Sequence, residues 1–309
     1  MPSARPNRPI TLLDGALGTA LRDRGAPVGS WDAAAWSATT VAETPELVRA
    51  LHEDYVRAGC DVITVNNYAC VPRLLERVGW PERTQELTER ALELAIDARR
   101  RAGPVRIAVS LPPLSTTYRV DLVPDDDELQ ATYGAIVACT KRRADLYLAE
   151  TLSSLREATA ALNAGRRSGL PVWISFCSAG PAGHLLSGEP LALVGRWARL
   201  HRPDVLLLNC GSVRATVAGL EALGAVYGGM LGGYPNPHHD VLEPPGTPPG
   251  PEHQLDPEAF AAAGLRLADA GAGVVGGCCH TEPAHLRALA LLFKTGAHRD
   301  DVRAAPRVG

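Results

Sequence analysis

Three cysteines stand directly after apolar runs: Cys210 after "DVLLLN", and the adjacent pair Cys278–Cys279 after "GVVGG". Neighbouring cysteines do not readily form an unstrained disulfide with each other. On a strand their side chains would point to opposite faces. A turn just past a strand end can instead aim both sulfurs at one point. If Cys210 reaches the same point, three thiolates can bind one Zn²⁺ and leave a fourth position open, the mark of a catalytic zinc site. Soft sulfur favours zinc among the common ions, and the bound metal keeps the thiols deprotonated. A zinc with three thiolates is electron-rich and a weak Lewis acid for hydrolysis. It suits a thiol substrate, whose pKa it lowers from about 8.5 so that nucleophile exists at neutral pH.

Other polar residues recur at the ends of apolar runs: Asp14 after the first, Asn66 after the second, Ser110 closing the third, Glu150 after the fourth and Cys177 after the fifth. Glu150 and Asp14 can hold an ammonium group, and backbone N–H groups at Gly15 and nearby can hold a carboxylate. The implied substrate is a thiol amino acid that attacks an electrophilic carbon.

These residues converge only if the chain places the run ends together. Strands are expected at 10–14, 61–65, 105–110, 145–149, 172–176, 204–208, 225–230 and 273–277. Helical spacing follows at 46–59, within 72–101, and at 125–143, 152–168, near 190–201, 213–223, 257–270 and 282–294. The acidic run Asp125–Glu128 suits a helix N-terminus. The strands are apolar on both faces, as buried parallel strands are. Eight strand–helix units predict an α/β fold of the (β/α)8 TIM-barrel type: a single domain over 1–309, with its core at about 10–295 and a tail at 296–309. The loops 111–124 and 231–256 follow strand ends on the face that carries active sites, so they read as functional lids or insertions.

Composition narrows the function. The 309 residues carry a net charge of −3, with no basic footprint for nucleic acid or an anionic membrane. No secretory leader and no apolar run of membrane-spanning length is visible, so a cytoplasmic location is expected. An odd count of seven cysteines argues for thiols or metal ligands over a disulfide framework. Partners are expected to be small molecules, and the protein a monomer or homodimer.

The segments "LLDGALGTAL" (12–21), "AWSATTV" (35–41), "PELVRALHEDYVRAGCDVITVN" (45–66), "ETLSSLREA" (150–158), "LLLNCGS" (206–212) and "GGCCHTEP" (276–283) resemble the homocysteine S-methyltransferase family. The resemblance runs from about 10 to 295. It implies a (β/α)8 barrel, zinc as cofactor, and homocysteine as acceptor of a methyl group, giving methionine. Matched residue by residue, it implies Cys210, Cys278 and Cys279 as zinc ligands and Glu150 as the acid that meets the homocysteine amine. It further implies Asp14 and Gly15 as the first-strand substrate motif, and Trp36 as an aromatic facing the methyl donor. The chain departs from the family pattern in "LPPLSTTYR", "VNNYACV", "PNPHHD" and His280, all around the mouth.

The donor expected first is a sulfonium, S-methylmethionine or S-adenosylmethionine, with betaine as the alternative. A cationic donor can be held on aromatic faces such as Trp36, Tyr68 or Tyr118. Two further alternatives are another thiol or selenol acceptor and a non-catalytic zinc or thiol-ligand binding protein. The His238–His239 pair reads as a solvated loop. "GAGVVG" (271–276) matches a dinucleotide pattern but opens no helix, and is set aside.

Overall fold

Strands such as "VWISF", apolar on both faces, need cover on both sides. The computed structural model supplies it: a ring of parallel strands packed inside a layer of helices. It describes residues 9–30, 35–178, 180, 182–238, 250 and 253–295. The expected tail, His239 and most of the 239–252 stretch lie outside these residues.

The strands are β1 (Thr11–Leu12), β2 (Val62–Thr64), β3 (Arg106–Leu111), β4 (Leu146–Leu152), β5 (Val172–Cys177), β6 (Val205–Asn209), β7 (Leu231–Tyr234) and β8 (Ala272–Val275). Each is parallel to its neighbours in the order β1-β8-β7-β6-β5-β4-β3-β2. A single bridge, Leu13 to Val62, joins β1 to β2 and completes the (β/α)8 ring. The helices are α1 (Gly18–Asp23), α2 (Ala38–Glu43), α3 (Pro45–Ala58), α4 (Pro72–Leu75), α5 (Thr84–Ala102), α6 (Asp126–Thr140), α7 (Leu155–Arg166), α8 (Leu191–His201), α9 (Val213–Gly224), α10 (Pro257–Asp269) and α11 (Pro283–Ala290). Among the described residues no helix is long and apolar enough to cross a membrane.

Inward residues from around the ring, among them Leu13, Val62, Leu146, Leu148, Trp173, Leu207 and Val274, fill the barrel. Outward ones, such as Ile63, Ile107, Ile174 and Leu206, pack beneath the helices. Local chemistry sets the helix ends. Gly59 stops α3 at φ 101°. Asp125, Ser154, Ser212 and Asp256 each accept a backbone N–H at the start of α6, α7, α9 and α10.

Three expectations are corrected. The seventh strand is Leu231–Tyr234, not 225–230. Its glycines look loop-like in sequence, yet the ring demands them. A Cβ on Gly232 would lie 2.8 Å from Val274 Cβ and 2.9 Å from its carbonyl oxygen. The long helix within 72–101 is broken, because Gly79 adopts φ 75° and Pro81 opens a new turn before α5. Finally, β4 runs to Leu152, so Glu150 sits inside the strand and not after it. The β4–β5 register shifts between Ala149 and Leu152, where Thr151 turns to φ 58°. Such a bulge re-aims the side chains around it.

Candidate active site

The strand C-terminal ends open on one cavity of about 1100 Å³. Asp14, Gly15, Trp36, Asn66, Glu150, Cys177, Cys210, Cys278 and Cys279 all line it. Six non-glycine residues among those described have a left-handed backbone, and five of them line this cavity: Trp36, Tyr118, Thr151, Cys210 and His280. Backbone strain concentrates where function needs a fixed geometry.

The three cysteines meet. Cys210 leaves β6 at φ 56°, which turns its sulfur into the mouth. Beyond β8 a turn carries Cys278 and Cys279, held by Thr281 Oγ1 donating to the Cys278 carbonyl at 2.6 Å and by His280 N–H donating to Thr19 Oγ1 at 2.9 Å. The three sulfurs lie within 4.8 Å of one another, with Cys210 to Cys278 at 2.9 Å and Cys210 to Cys279 at 3.8 Å. Tetrahedral thiolates at about 2.3 Å from a zinc stand about 3.8 Å apart. The Cys210–Cys279 edge already has that length, the Cys210–Cys278 edge needs to open by less than an ångström, and the third lies within 4.8 Å, so the trio fits a metal of this size. Cys279 accepts from the Cys210 and Cys278 thiols, which lowers its pKa, while Cys210, donor to both Cys278 and Cys279, is pushed well up. Cys177 stands apart: its thiol faces the Cys210 carbonyl oxygen at 3.8 Å.

Two carboxyls sit in the same cavity. Burial raises Glu150 to about 7, against the hydrogen bond it accepts from Ser110 Oγ at 2.5 Å. Burial likewise raises Asp14 to about 8, against bonds from Thr64 N–H at 2.7 Å and Thr64 Oγ1 at 2.9 Å. Each also carries a smaller repulsion from a neighbouring acid, Cys279 for Glu150 and Glu150 for Asp14. No lysine or arginine among the described residues forms an ion pair with either.

The remaining expected residues take more specific places. Ser110 is fully buried behind Glu150 and orients it. Asn66 accepts from Ser37 Oγ at 2.8 Å and donates to Thr40 Oγ1 at 3.2 Å, so it fastens the segment that carries Trp36. Gly15 sits where the first loop passes the cysteine turn and α3: a Cβ there would lie 2.8 Å from Thr281 Oγ1 and 2.9 Å from the Tyr55 hydroxyl. That hydroxyl donates to the carbonyls of Ala16 and Thr281, stitching the first loop to the cysteine turn. Trp36 packs against Gly18, and the Arg22 guanidinium covers its ring at 4.6 Å from the centroid.

Three contributions escape sequence reasoning. Tyr118, from the loop after β3, donates its hydroxyl to Cys210 Sγ at 3.2 Å. Thr64 holds both oxygens of Asp14, and Asn209 bridges β4, β5 and the cysteine turn. Asn209 is adjacent to Cys210 in the "LLLNCGS" segment, the one signal available.

Comparison with known proteins places this architecture. The homocysteine S-methyltransferase family model matches residues 11–293. A homocysteine S-methyltransferase of Escherichia coli K12 is 32% identical, over 91% of this chain and 94% of its own. Betaine–homocysteine S-methyltransferase 1 of Bos taurus is 27% identical, over 91% of this chain and 71% of its own. Among solved structures, the metallated form of the homocysteine methyltransferase MmuM from Escherichia coli superposes with a TM-score of 0.76 at 29% identity. That match covers 91% of this chain and 96% of the other.

Proposed function

The chain belongs to the homocysteine S-methyltransferase family, and we propose that it transfers the methyl group of a small sulfonium donor to the thiol of homocysteine, with Cys210, Cys278 and Cys279 holding a zinc ion. The observation that carries this reading is the pairing of two groups in one cavity: three sulfurs within 4.8 Å, and two carboxyls, Asp14 buried and Glu150 half-buried, with no ion pair to a cationic side chain among the described residues. Desolvated carboxyls of this kind are suited to a cation brought by the substrate, and the ammonium of an amino acid is one.

Zinc, when bound, lowers the pKa of the acceptor thiol and makes it a nucleophile at neutral pH. The rest is alignment by the chain's own residues. Glu150, oriented by Ser110, holds the ammonium group, and Asp14 faces the same region from β1. Tyr118 donates to Cys210 and fixes that sulfur's direction. The acceptor sulfur forms a bond to the methyl carbon as the donor's carbon–sulfur bond breaks. The electron pair stays on the donor sulfur, which leaves as a neutral thioether, and the acceptor's thiol proton passes to solvent as the thiolate forms. No general acid is needed for such a leaving group. The walls exclude water and hold the two reactants in line. Zinc is favoured over harder metals by the all-thiolate ligand set. The same proposal includes a cytoplasmic enzyme, monomeric or homodimeric, acting on small molecules.

Betaine is the alternative donor, favoured by the similarity to the bovine betaine–homocysteine enzyme. The test is mass spectrometry of products from homocysteine incubated with S-methylmethionine, S-adenosylmethionine or betaine. Methionine formed with a sulfonium and not with betaine supports the proposal. Methionine formed with betaine alone overturns the donor assignment.

A further inference from the structure

We propose that Asn209 is a positioning residue that ties the carboxylate anchor for the acceptor amine to the sulfur cluster. The inference rests on the roles proposed for Glu150 and the three cysteines. Asn209 ends β6 and is fully buried. Its Oδ1 accepts from the Thr151 backbone N–H at 3.2 Å and from Ser175 Oγ at 2.8 Å. Its Nδ2 donates to Thr151 Oγ1 at 2.8 Å and lies 3.7 Å from Cys278 Sγ. The amide has only one sensible orientation. A backbone N–H can only donate, so the atom facing Thr151 N must be the oxygen, and the amine then faces the sulfur.

Both ends of this bridge matter. Thr151 follows Glu150 and holds a left-handed backbone at φ 58°, a conformation costly for a β-branched residue unless its surroundings impose it. Asn209 grips that residue from both its N–H and its hydroxyl, and so fixes the direction in which Glu150 leaves β4. At the other end, an N–H pointed at Cys278 Sγ favours the thiolate, since a thiolate accepts and never donates. Outer hydrogen bonds of this sort orient metal-binding side chains, and their loss weakens metal affinity by about 10- to 100-fold.

The two ends separate experimentally. In Asn209→Asp the shape is kept, but a carboxylate oxygen replaces the donor beside Cys278. Zinc affinity, measured by chelator competition, should fall by about 10- to 100-fold, and the sulfur-to-metal charge-transfer band of the cobalt-substituted protein should shift. Asn209→Ala should weaken binding of methionine, which has no thiol proton, by roughly tenfold in the otherwise native protein and by less than about twofold in a Glu150→Gln background, because coupled neighbours are non-additive. Asn209→Ala combined with Thr151→Gly relaxes the strained backbone and should recover part of the methionine affinity while zinc stays weak. Equal losses from Asn209→Ala in both backgrounds, or unchanged zinc affinity and cobalt spectrum in Asn209→Asp, overturn the proposal. If Glu150→Gln alone leaves methionine affinity unchanged, it is the underlying acceptor reading that fails.

Discussion

Replacing Glu150 by Gln keeps the shape of the side chain and removes its charge, and the surroundings of Glu150 set the size of the effect. Its carboxyl is held at about 7, mainly by burial, and accepts from Ser110 Oγ at 2.5 Å. A charge-assisted bond from an ammonium contributes about 1.5–3 kcal/mol, so the variant should bind methionine about 10- to 150-fold more weakly at pH 8. The pH profile is the sharper test. Only the carboxylate attracts an ammonium, so affinity is present above 7 and lost as pH falls through it. About one tenth of Glu150 is ionised at pH 6 and about nine tenths at pH 8, a change in affinity of about tenfold that the Gln variant should lack. Asp14, held at about 8 mainly by burial, titrates in both proteins and loses in the variant only the smaller repulsion from Glu150. Stability should move the opposite way. A carboxyl whose folded pKa is raised stabilises below its unfolded value of 4.5 and loses that contribution as pH rises through 7. With a shift of about 2.5 units, the free Gln variant should be up to about 3 kcal/mol more stable at pH 8 than the native protein. Calorimetric titration with methionine between pH 6 and 8, alongside urea unfolding, measures both. Parallel pH profiles for the two proteins would refute the role assigned to Glu150.

Cys210→Ala, Cys278→Ala and Cys279→Ala should each lose most bound zinc and all methyl transfer, whereas chelation of the native protein should leave its far-ultraviolet circular dichroism intact; elemental analysis showing full zinc in Cys210→Ala sinks the trio. His52, buried in α3 with neither ring nitrogen hydrogen-bonded, is held by burial at about 4. Its neutral form contributes fully above 6.5 and the native state loses up to about 3 kcal/mol as pH falls from 6.5 to 4, so urea unfolding of His52→Leu should show a shallower acid decline, and an unchanged slope rejects the assignment. Gly18→Ala places a Cβ 2.1 Å from the Trp36 indole nitrogen and must displace that ring; steady-state kinetics should show a higher KM for the methyl donor with homocysteine affinity unchanged, and identical donor constants would remove Trp36 from the donor site.

The eight-strand plan was legible because buried parallel strands must be apolar on both faces, a requirement no other element shares over so few residues. It failed at β7, where Gly232, needed for close packing against Val274, and Gly233, packed against Thr216 and Leu220, carry the same signal as a loop. The sulfur trio was legible because cysteine after a strand end has few bland explanations. Ser110 and Asn66 stand at the strand ends where the sequence places them, and the structure adds their partners, Glu150 for Ser110 and the Ser37–Thr40 segment for Asn66, which sequence cannot supply. Tyr118, Thr64 and Asn209 were invisible as partners for the same reason. Their hydrogen bonds span separations of 92, 50 and 58 residues, and only the closed ring brings them together.

The junction between β1 and β2 has a meaning beyond architecture. Backbone pairing there is one bridge, Leu13 to Val62, and the next rung is made by a side chain: the Asp14 carboxyl receives both the N–H and the hydroxyl of Thr64. The ring is therefore fastened by a clasp, and the clasp is one of the two carboxyls that line the cavity. Anything that binds the closed form in preference to the open one shifts the balance by mass action. An ammonium drawn to Asp14 keeps its carboxylate charged, and a charged carboxylate is the better acceptor for both Thr64 donors. Whatever changes the charge on Asp14 therefore also changes how firmly the ring is fastened at its least-paired edge.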